Sequence, residues 1–487
     1  VLGRIIRFEV SRIVLVCICC VAFCLGVVLA RYRLLGSALW LWLLLPPTLP
    51  SLRRRSVPAL LLLLLLFGGL GWWRGSGMMR QLVVYQEFSK QEVVVAATAS
   101  TDGVYGKNSQ LTFTVDHARI VSPVQAPLPG GLNIAGFGVP AVFRGDRVQV
   151  SGELYPTRGN SQASISYGDI VVMEHNPPWL DVFRRKFAAG MLSALPEPQA
   201  SFGLGLLIGQ RNTLPADVTQ TLLVVGLTHV IAVSGYNLTI IVNAARRLLA
   251  ERSKFQMLAA CITLIVVFVL ITGNSPSIVR AAIISVLSLL AWYYGRQIQP
   301  VPLLLTAGAI SVAANPLYMW GNVSWYLSFL AFFGVLVLGP LVTNKLYHGR
   351  EPPLVMQIVI ESICAEAMTI PYILYIFGQM SLVSLPANVL VVAFVPLGML
   401  LCLIAGLAGM FLPVLAGWCA WPAKFLLTYM LDAAQLLSRT PHAFVEGVGF
   451  SLAMLSVSYA VVVGLIVILK RATRTKYAII TEKIEGE

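Results

Sequence analysis

The stretch Gly226 to Val242, GLTHVIAVSGYNLTIIV, brings an imidazole, a hydroxyl, a phenol and an amide close together, at His229, Ser234, Tyr236 and Asn237. A histidine near a serine invites a hydrolase reading, with the imidazole as base and the hydroxyl as nucleophile. Such chemistry also needs an oriented base and an oxyanion hole. No further group at a suitable spacing supplies either. The sequence contains no HExxH, GxSxG or phosphate-binding glycine loop. Its five histidines, His117, His175, His229, His348 and His442, stand far apart, so no clustered metal site is read. The expectation is a protein without catalytic residues, metal or cofactor.

The same polar residues make sense as the wall of a cavity. An ionisable side chain at the centre of a bilayer costs ~2.5–3.5 kcal/mol on insertion scales and therefore faces protein or water. His229, Arg280, Glu361 and Glu366 lie in apolar surroundings, with neutral clusters at Gln210–Arg211–Asn212, Asn274–Ser275–Ser277, Asn322–Ser324–Ser328 and Asn388. If a helix continues through Gly235, then His229, Tyr236 and Asn237 share one face and Ser234 points elsewhere. A plainer account also holds for this stretch: a buried histidine donating to a carbonyl, and a glycine at a close helix contact. In ITGNSPSIVRA, Pro276 after Ser275 fits a helix N-terminus, whose free N–H groups attract anions. Arg280 one turn on is either a phosphate-facing cation or an interfacial side chain reaching for water. Glu361 and Glu366 are five apart, about 140° around a helix, so they are not an acid/base pair.

The elements that must position these groups are membrane helices. The chain has 487 residues, 57% hydrophobic and 11% charged, with a mean hydropathy of +0.80. About ten stretches approach the ~20 apolar residues that a bilayer-spanning helix needs. They fall near 10–30, 34–50, 57–73, 256–272, 277–294, 300–314, 324–343, 354–377, 383–411, 413–437 and 449–469. The net charge of +14 is explained in large part by clusters at Arg4, Arg7 and Arg12, at Arg53–Arg55, and at Lys470, Arg471, Arg474 and Lys476, which suit cytoplasmic ends. All eight cysteines lie in apolar runs and indicate no disulfide framework.

Between Met78 and Pro178 the pattern changes to alternating apolar and polar residues, as in QEVVVAATAS, SQLTFTVDHARIV and DRVQVSGELY. These are half-buried strands with turns between them. The expected fold class is a polytopic α-helical membrane protein with an inserted small antiparallel β-barrel, OB-like, outside the membrane. Five segments follow: N-terminal transmembrane helices over 1–77, the OB-like β domain over 78–178, amphipathic and discontinuous helices over 179–255, a transmembrane channel bundle over 256–470, and a cytoplasmic tail over 471–487. The third segment is too often broken by glycine and proline to span cleanly. Irregular backbone at membrane depth survives only where protein buries it or a watery cavity solvates it. Within the β domain, cations and carboxylates nearly balance, so a spacer, a partner dock and a DNA binder stay open.

Four stretches together resemble the competence-protein family, the ComEC-type DNA-uptake channels of bacteria: GLTHVIAVSGYNLTIIV, SPSIVRAAI, NPLYMWGNVSWYLSFLAFFGVL and TIPYILYIFGQMSLVSLPANVLVV. The resemblance covers roughly residues 55 to 440 in the same order. It implies a channel in the bacterial cytoplasmic (inner) membrane that passes single-stranded DNA inward during natural transformation, with the OB-like domain on the extracellular or periplasmic side. It places Arg211, His229, Ser234, Tyr236, Asn237, Asn274, Ser277, Arg280, Trp325, Ser328, Glu366 and Asn388 as DNA-path candidates, Tyr236 and Trp325 as base-stacking residues. The implied partners are single-stranded DNA, the lipid bilayer, a separate DNA receptor, a separate nuclease and a cytosolic helicase-like motor. Two departures stand out. Many members have a second histidine after Ser-Gly, where this chain has Asn237, and many carry a C-terminal metallo-β-lactamase-like domain that this sequence is expected to lack. The alternatives are a small-molecule or lipid transporter and an intramembrane hydrolase.

Overall fold

The computed structural model describes residues 12–32, 57–105, 110–139, 141–156, 161–175, 178–210, 213–231, 235–273, 275–297, 299–348, 350 and 352–485. The chain divides into two compact units, Val1–Arg184 with Lys254–Trp325, and Arg185–Ser253 with Tyr326–Glu487.

The first unit is organised around one long helix, Val57–Glu87, of 31 residues. At 1.5 Å per residue it is roughly 46 Å long, against a hydrocarbon core of about 30 Å. Its first turns are apolar and pack along the helix Arg12–Ala30. The two backbones come close enough that a Cβ on Gly26 would lie 1.9 Å from the Gly68 carbonyl oxygen. Only a residue without a side chain permits that approach, and it brings the two helices into wide van der Waals contact. The last turns of the long helix carry Tyr85 into the core of the sheet that follows, where its hydroxyl donates to the Pro129 carbonyl at 2.8 Å.

That sheet is built from β1 (Glu92–Ala99), β2 (Val104–Tyr105), β3 (Leu111–Ser122), β4 (Ala126–Pro127), β5 (Leu132–Phe137), β6 (Arg147–Pro156) and β7 (Ala163–Glu174). Buried and partly exposed side chains alternate along β1, as one apolar face demands. β1 pairs with both β3 and β6, β3 with β5, and β6 with β7, all antiparallel. β5 and β7 pair in parallel. The sheet is therefore mixed, not purely antiparallel as the alternating pattern suggested. The reason is topological. β6 leaves β5 to lie against β1, and β7 returns antiparallel to β6, which sets β7 in the same direction as β5. Period-two alternation reports burial of one face and says nothing of strand direction. Gly136 and Gly168 face each other across this parallel pair, and a Cβ on Gly136 would sit 2.0 Å from the Gly168 oxygen.

Charged residues attach this sheet to its neighbours within the unit. Arg184 Nη2 meets Asp102 Oδ2 at 3.0 Å, and Arg144 Nε meets the buried Asp181 at 3.6 Å. Arg144 also donates through Nη1 to the Leu270 carbonyl at 3.2 Å. Breaking a buried pair costs ~3–5 kcal/mol, and the partial exposure of both partners here brings Arg184→Ala nearer ~2 kcal/mol. The expected outcome is a lowered melting temperature and faster tryptic cleavage within 92–174. Equal cleavage rates would remove this pair as an anchor.

The remaining helices of the first unit are Lys254–Thr272, Pro276–Tyr293 and Pro300–Ala314. Arg74, on the long helix, donates to the carbonyls of Ala313 and Ala314, both at 2.8 Å. It thereby satisfies two carbonyls that the last turn of Pro300–Ala314 leaves open.

The second unit begins its core with three short helices, Gln199–Ile208, Ala216–Val224 and Thr228–Ile231, followed by Gly235–Leu248. None of the three exceeds about half the length of a spanning helix. Longer helices follow at Leu354–Phe377, Val395–Phe411, Ala416–Ser438 and Leu452–Glu485. A π-helical turn, Gly334–Leu338, interrupts the helical run from Val323 to Tyr347.

Eight helices among the described residues are long and apolar enough to cross a membrane: Ile13–Ala30, Leu60–Glu87, Lys254–Thr272, Pro276–Tyr293, Val323–Tyr347, Leu354–Phe377, Ser384–Phe411 and Leu452–Arg471. Two of the expected spans are corrected. The stretch 300–314 forms a helix of only 15 residues. The stretch 413–437 forms Ala416–Ser438, which carries Lys424 and Asp432 and is not among the eight. The expected span 34–50 lies outside the described residues.

A candidate polar site among the membrane helices

In the second unit the site starts from a helix that ends early. Gln199–Ile208 is buried along nearly its whole length and stops at Gly209, whose backbone is left-handed (φ 74°). Ending there leaves carbonyls of the last turn without intrahelical donors. Asn237, on the helix Gly235–Leu248, supplies one: its Nδ2 donates to the Leu206 carbonyl at 3.0 Å. Asn237 is 1% exposed. It therefore works as a cap delivered from a different helix, a role for which an amide or an imidazole N–H is suited and an aliphatic side chain is not.

Gly226 precedes this helix with φ 76°. Its carbonyl oxygen lies 3.0 Å from His229 Nδ1, the carbonyl contact that the sequence allowed. The His229 ring is exposed at its surface, yet protein at longer range desolvates it enough to hold its pKa below the ordinary imidazole value. The bond to Gly226 acts in the opposite sense and is the weaker effect. A neutral imidazole is favoured by this fold, so acidification through the imidazole range charges the unfolded chain first and lowers stability. His229→Gln should flatten that acid limb in a melting-temperature series against pH. An unchanged limb would assign the acid sensitivity elsewhere.

Farther along the second unit, Asn388 Nδ2 donates to Glu366 Oε1 at 3.2 Å. Asn388 is 8% exposed. The Glu366 carboxyl also meets the Ser384 hydroxyl. Ser328 is half-buried.

In the first unit, Ser275 caps the helix Pro276–Tyr293 by accepting from the Ile278 N–H at 3.4 Å, with Pro276 in the first turn, as the sequence indicated. Ser277 is half-buried one position on. Arg280 is 6% exposed, so it is an interior cation of this unit and does not reach for interfacial water. Trp325 corrects a sequence expectation. It is 7% exposed, its indole N–H donates to Ser311 Oγ at 2.9 Å, and its backbone N–H donates to Asn322 Oδ1 at 2.8 Å. A tryptophan held in this way anchors the packing of its unit and has no open face for a base.

Tyr236 has a described backbone only, and Arg211, Ser234 and Asn274 lie outside the described residues. Residues 232–234, between Thr228–Ile231 and Gly235–Leu248, also lie outside them, and the face expected to carry His229, Tyr236 and Asn237 runs through that stretch. Sequence reasoning missed the Leu206 carbonyl, Ser311, Ser381 and Ser384. A backbone acceptor leaves no trace in residue type, and serines in apolar helices commonly bond their own preceding turn.

Taken together, these features define a polytopic membrane protein with a separate mixed β-sheet and polar side chains held between broken helices. The chain belongs to the competence protein family, whose model matches residues 206–472. It is 24% identical over 204 residues to ComE operon protein 3 of Bacillus subtilis (strain 168), an alignment that takes in 42% of this chain and 25% of that protein. The matched part is thus a quarter of that relative's length. No solved structure matches the chain.

Proposed function

We propose that this chain forms a membrane conduit that passes single-stranded DNA into the cytoplasm during natural transformation. The observation that carries the reading is the run of short helices over 199–231, tied to Gly235–Leu248 by the Asn237–Leu206 bond, at the start of the family-matched region. Broken helices and buried amides are costly in lipid and are tolerated where they line a hydrated path or are capped by protein. A polyanion needs such a path, with N–H donors and cations that bind weakly enough at each step to release it. Arg211, Asn274, Ser277 and Arg280 are the groups proposed to meet phosphates. A separate receptor, nuclease and helicase-like motor complete the proposed machinery, because the chain carries no nucleotide-binding loop to supply the force.

The sheet fits an OB-like barrel in this scheme. The support is its circuit of pairings, β1 to β6 to β7 to β5 to β3 and back to β1, and we place it on the outer face of the membrane. Phe137 and the 72%-exposed Tyr167 form an aromatic pair on its surface with centroids 6.5 Å apart. Aromatics of this kind stack bases.

The test is genetic and biochemical. Deletion of the gene should abolish transformation by external DNA while DNA binding at the cell surface persists, and the full chain should restore it. In proteoliposomes the chain should admit labelled single-stranded DNA. Saturable flux of a small solute with no response to DNA would overturn the proposal in favour of a transporter.

A further inference from the structure

We infer that Glu366 and Asn388 form a proton-binding site among the membrane helices, in which the acid form of Glu366 closes a two-bond ring with the Asn388 amide. The inference starts from an unanswered acceptor. Asn388 is more than nine-tenths buried and its Nδ2 is already used on Glu366 Oε1. Its Oδ1 is fully buried and accepts no hydrogen bond. A buried amide oxygen requires a donor. The group already held against this amide is the Glu366 carboxyl, which as a carboxylate offers no hydrogen. As a carboxylic acid it has one O–H. Acid and amide then exchange two bonds, N–H to carboxyl oxygen and O–H to amide oxygen, and both side chains are satisfied. Placing the proton on Glu366 also removes a net charge from the interior of an apolar helix, where an ionised carboxyl is most costly.

A polar route reaches this pair. The Ser384 hydroxyl interacts with the Glu366 carboxyl and lies 3.3 Å from the Ser381 carbonyl. Ser381 Oγ is buried and has no hydrogen-bond partner. Both serines close on Gly226: a Cβ there would lie 2.9 Å from Ser384 Cβ and 3.4 Å from Ser381 Cβ. The Gly226 carbonyl in turn contacts His229, whose ring is exposed. The second unit thus holds a file of polar groups from an accessible imidazole to a half-buried carboxyl. Among the described residues, the other titratable groups on the packed elements are Glu361, Cys364, Tyr372 and Tyr375 on the helix of Glu366, Tyr326 against Tyr372, Lys345 and Tyr347 on Gly339–Tyr347, Tyr459 bonded to the Met368 carbonyl with Lys470 and Arg471 on the same helix, and Cys419, Lys424, Tyr429 and Asp432 on Ala416–Ser438. Glu361, His229 and Asp432 are the titrations that an experiment has to separate from that of Glu366.

The site is independent of the DNA reading, and its test does not use DNA. The infrared spectrum of the full-length chain in lipid nanodiscs at neutral pH should contain a protonated-carboxyl C=O band. Glu366→Gln should remove that band completely while the protein stays folded, because glutamine reproduces both bonds of the acid. Asn388→Leu should shift the band, and Glu361→Gln, His229→Gln and Asp432→Asn should leave it in place. Absence of a protonated-carboxyl band at neutral pH, or a band untouched by Glu366→Gln, would overturn the proposal. So would a band that appears only when sodium is withdrawn, since the oxygens would then hold a metal cation in place of the proton.

Discussion

Asn237→Leu is expected to lower transformation sharply and to reduce the melting temperature of the purified chain. Leucine keeps the branched shape and heavy-atom count of asparagine, although its methyls are bulkier and add some overpacking at this buried position. What changes is the Leu206 carbonyl, which loses the donor that Asn237 brings to it at 3.0 Å. An orphaned polar group at a buried position costs ~1–3 kcal/mol. The cost falls on the end of Gln199–Ile208, the helix whose early stop starts the broken region. Asn237→His should rescue both readouts in large part, because an imidazole N–H is a donor of similar reach. This links the departure noted in the sequence to a physical requirement: the position needs an N–H, and histidine and asparagine both have one. Equal stability and equal transformation in Asn237→Leu would show that the carbonyl finds another partner and that the cap is dispensable.

Gly409→Val should be the most destructive single substitution in the second unit. The helices Trp179–Ala194 and Val395–Phe411 cross with Gly190 against Gly409, and a Cβ on Gly409 would fall 1.9 Å from the Gly190 oxygen. The obstacle is backbone, so no rotamer change relieves it. About one turn away in the same crossing, the Phe187 ring fills the space above Gly406, where a Cβ would lie 2.3 Å from it. Overpacking of this kind costs ~1–3 kcal/mol in ordinary cores and more when backbone must part. Loss of more than ~3 kcal/mol is expected, seen as aggregation on extraction or as a collapse of the melting temperature. Gly417→Ala is the matched control, since its added carbon would meet nothing within 4 Å, and alanine favours a helix. A Gly409→Val protein that melts normally would mean that the two helices do not cross as described.

How much of this was legible beforehand follows from what each signal measures. Helix spans were legible because a bilayer demands length and apolarity, and both are counted from one sequence. The bounds of 300–314 were legible as well, and its 15 residues, closed off by Asn315 and by the carbonyl bonds from Arg74, are simply too few for a full span. Strands were legible from alternation along β1 and β3, but the parallel pairing of β5 with β7 was not, because direction depends on which strand lies beside which. Polar residues in apolar runs were picked out by their cost. Their partners were not, since Asn237 answers a backbone carbonyl 31 residues earlier and Glu366 answers an amide 22 residues later.

The sequence by itself determined that this is a membrane protein with a strand-rich insertion, and its four ordered motifs determined the family resemblance. Both rest on local quantities, hydropathy, periodicity and spacing, that survive without knowledge of contacts. Only the tertiary structure decided what the polar residues do. It made Trp325 a buried anchor, Asn237 a cap on a foreign helix, and Glu366 the acceptor of the Asn388 amide. Hydrogen bonds at membrane depth are satisfied by whatever group the fold brings within about 3 Å, and that neighbour is set by packing, which residue spacing along the chain does not encode.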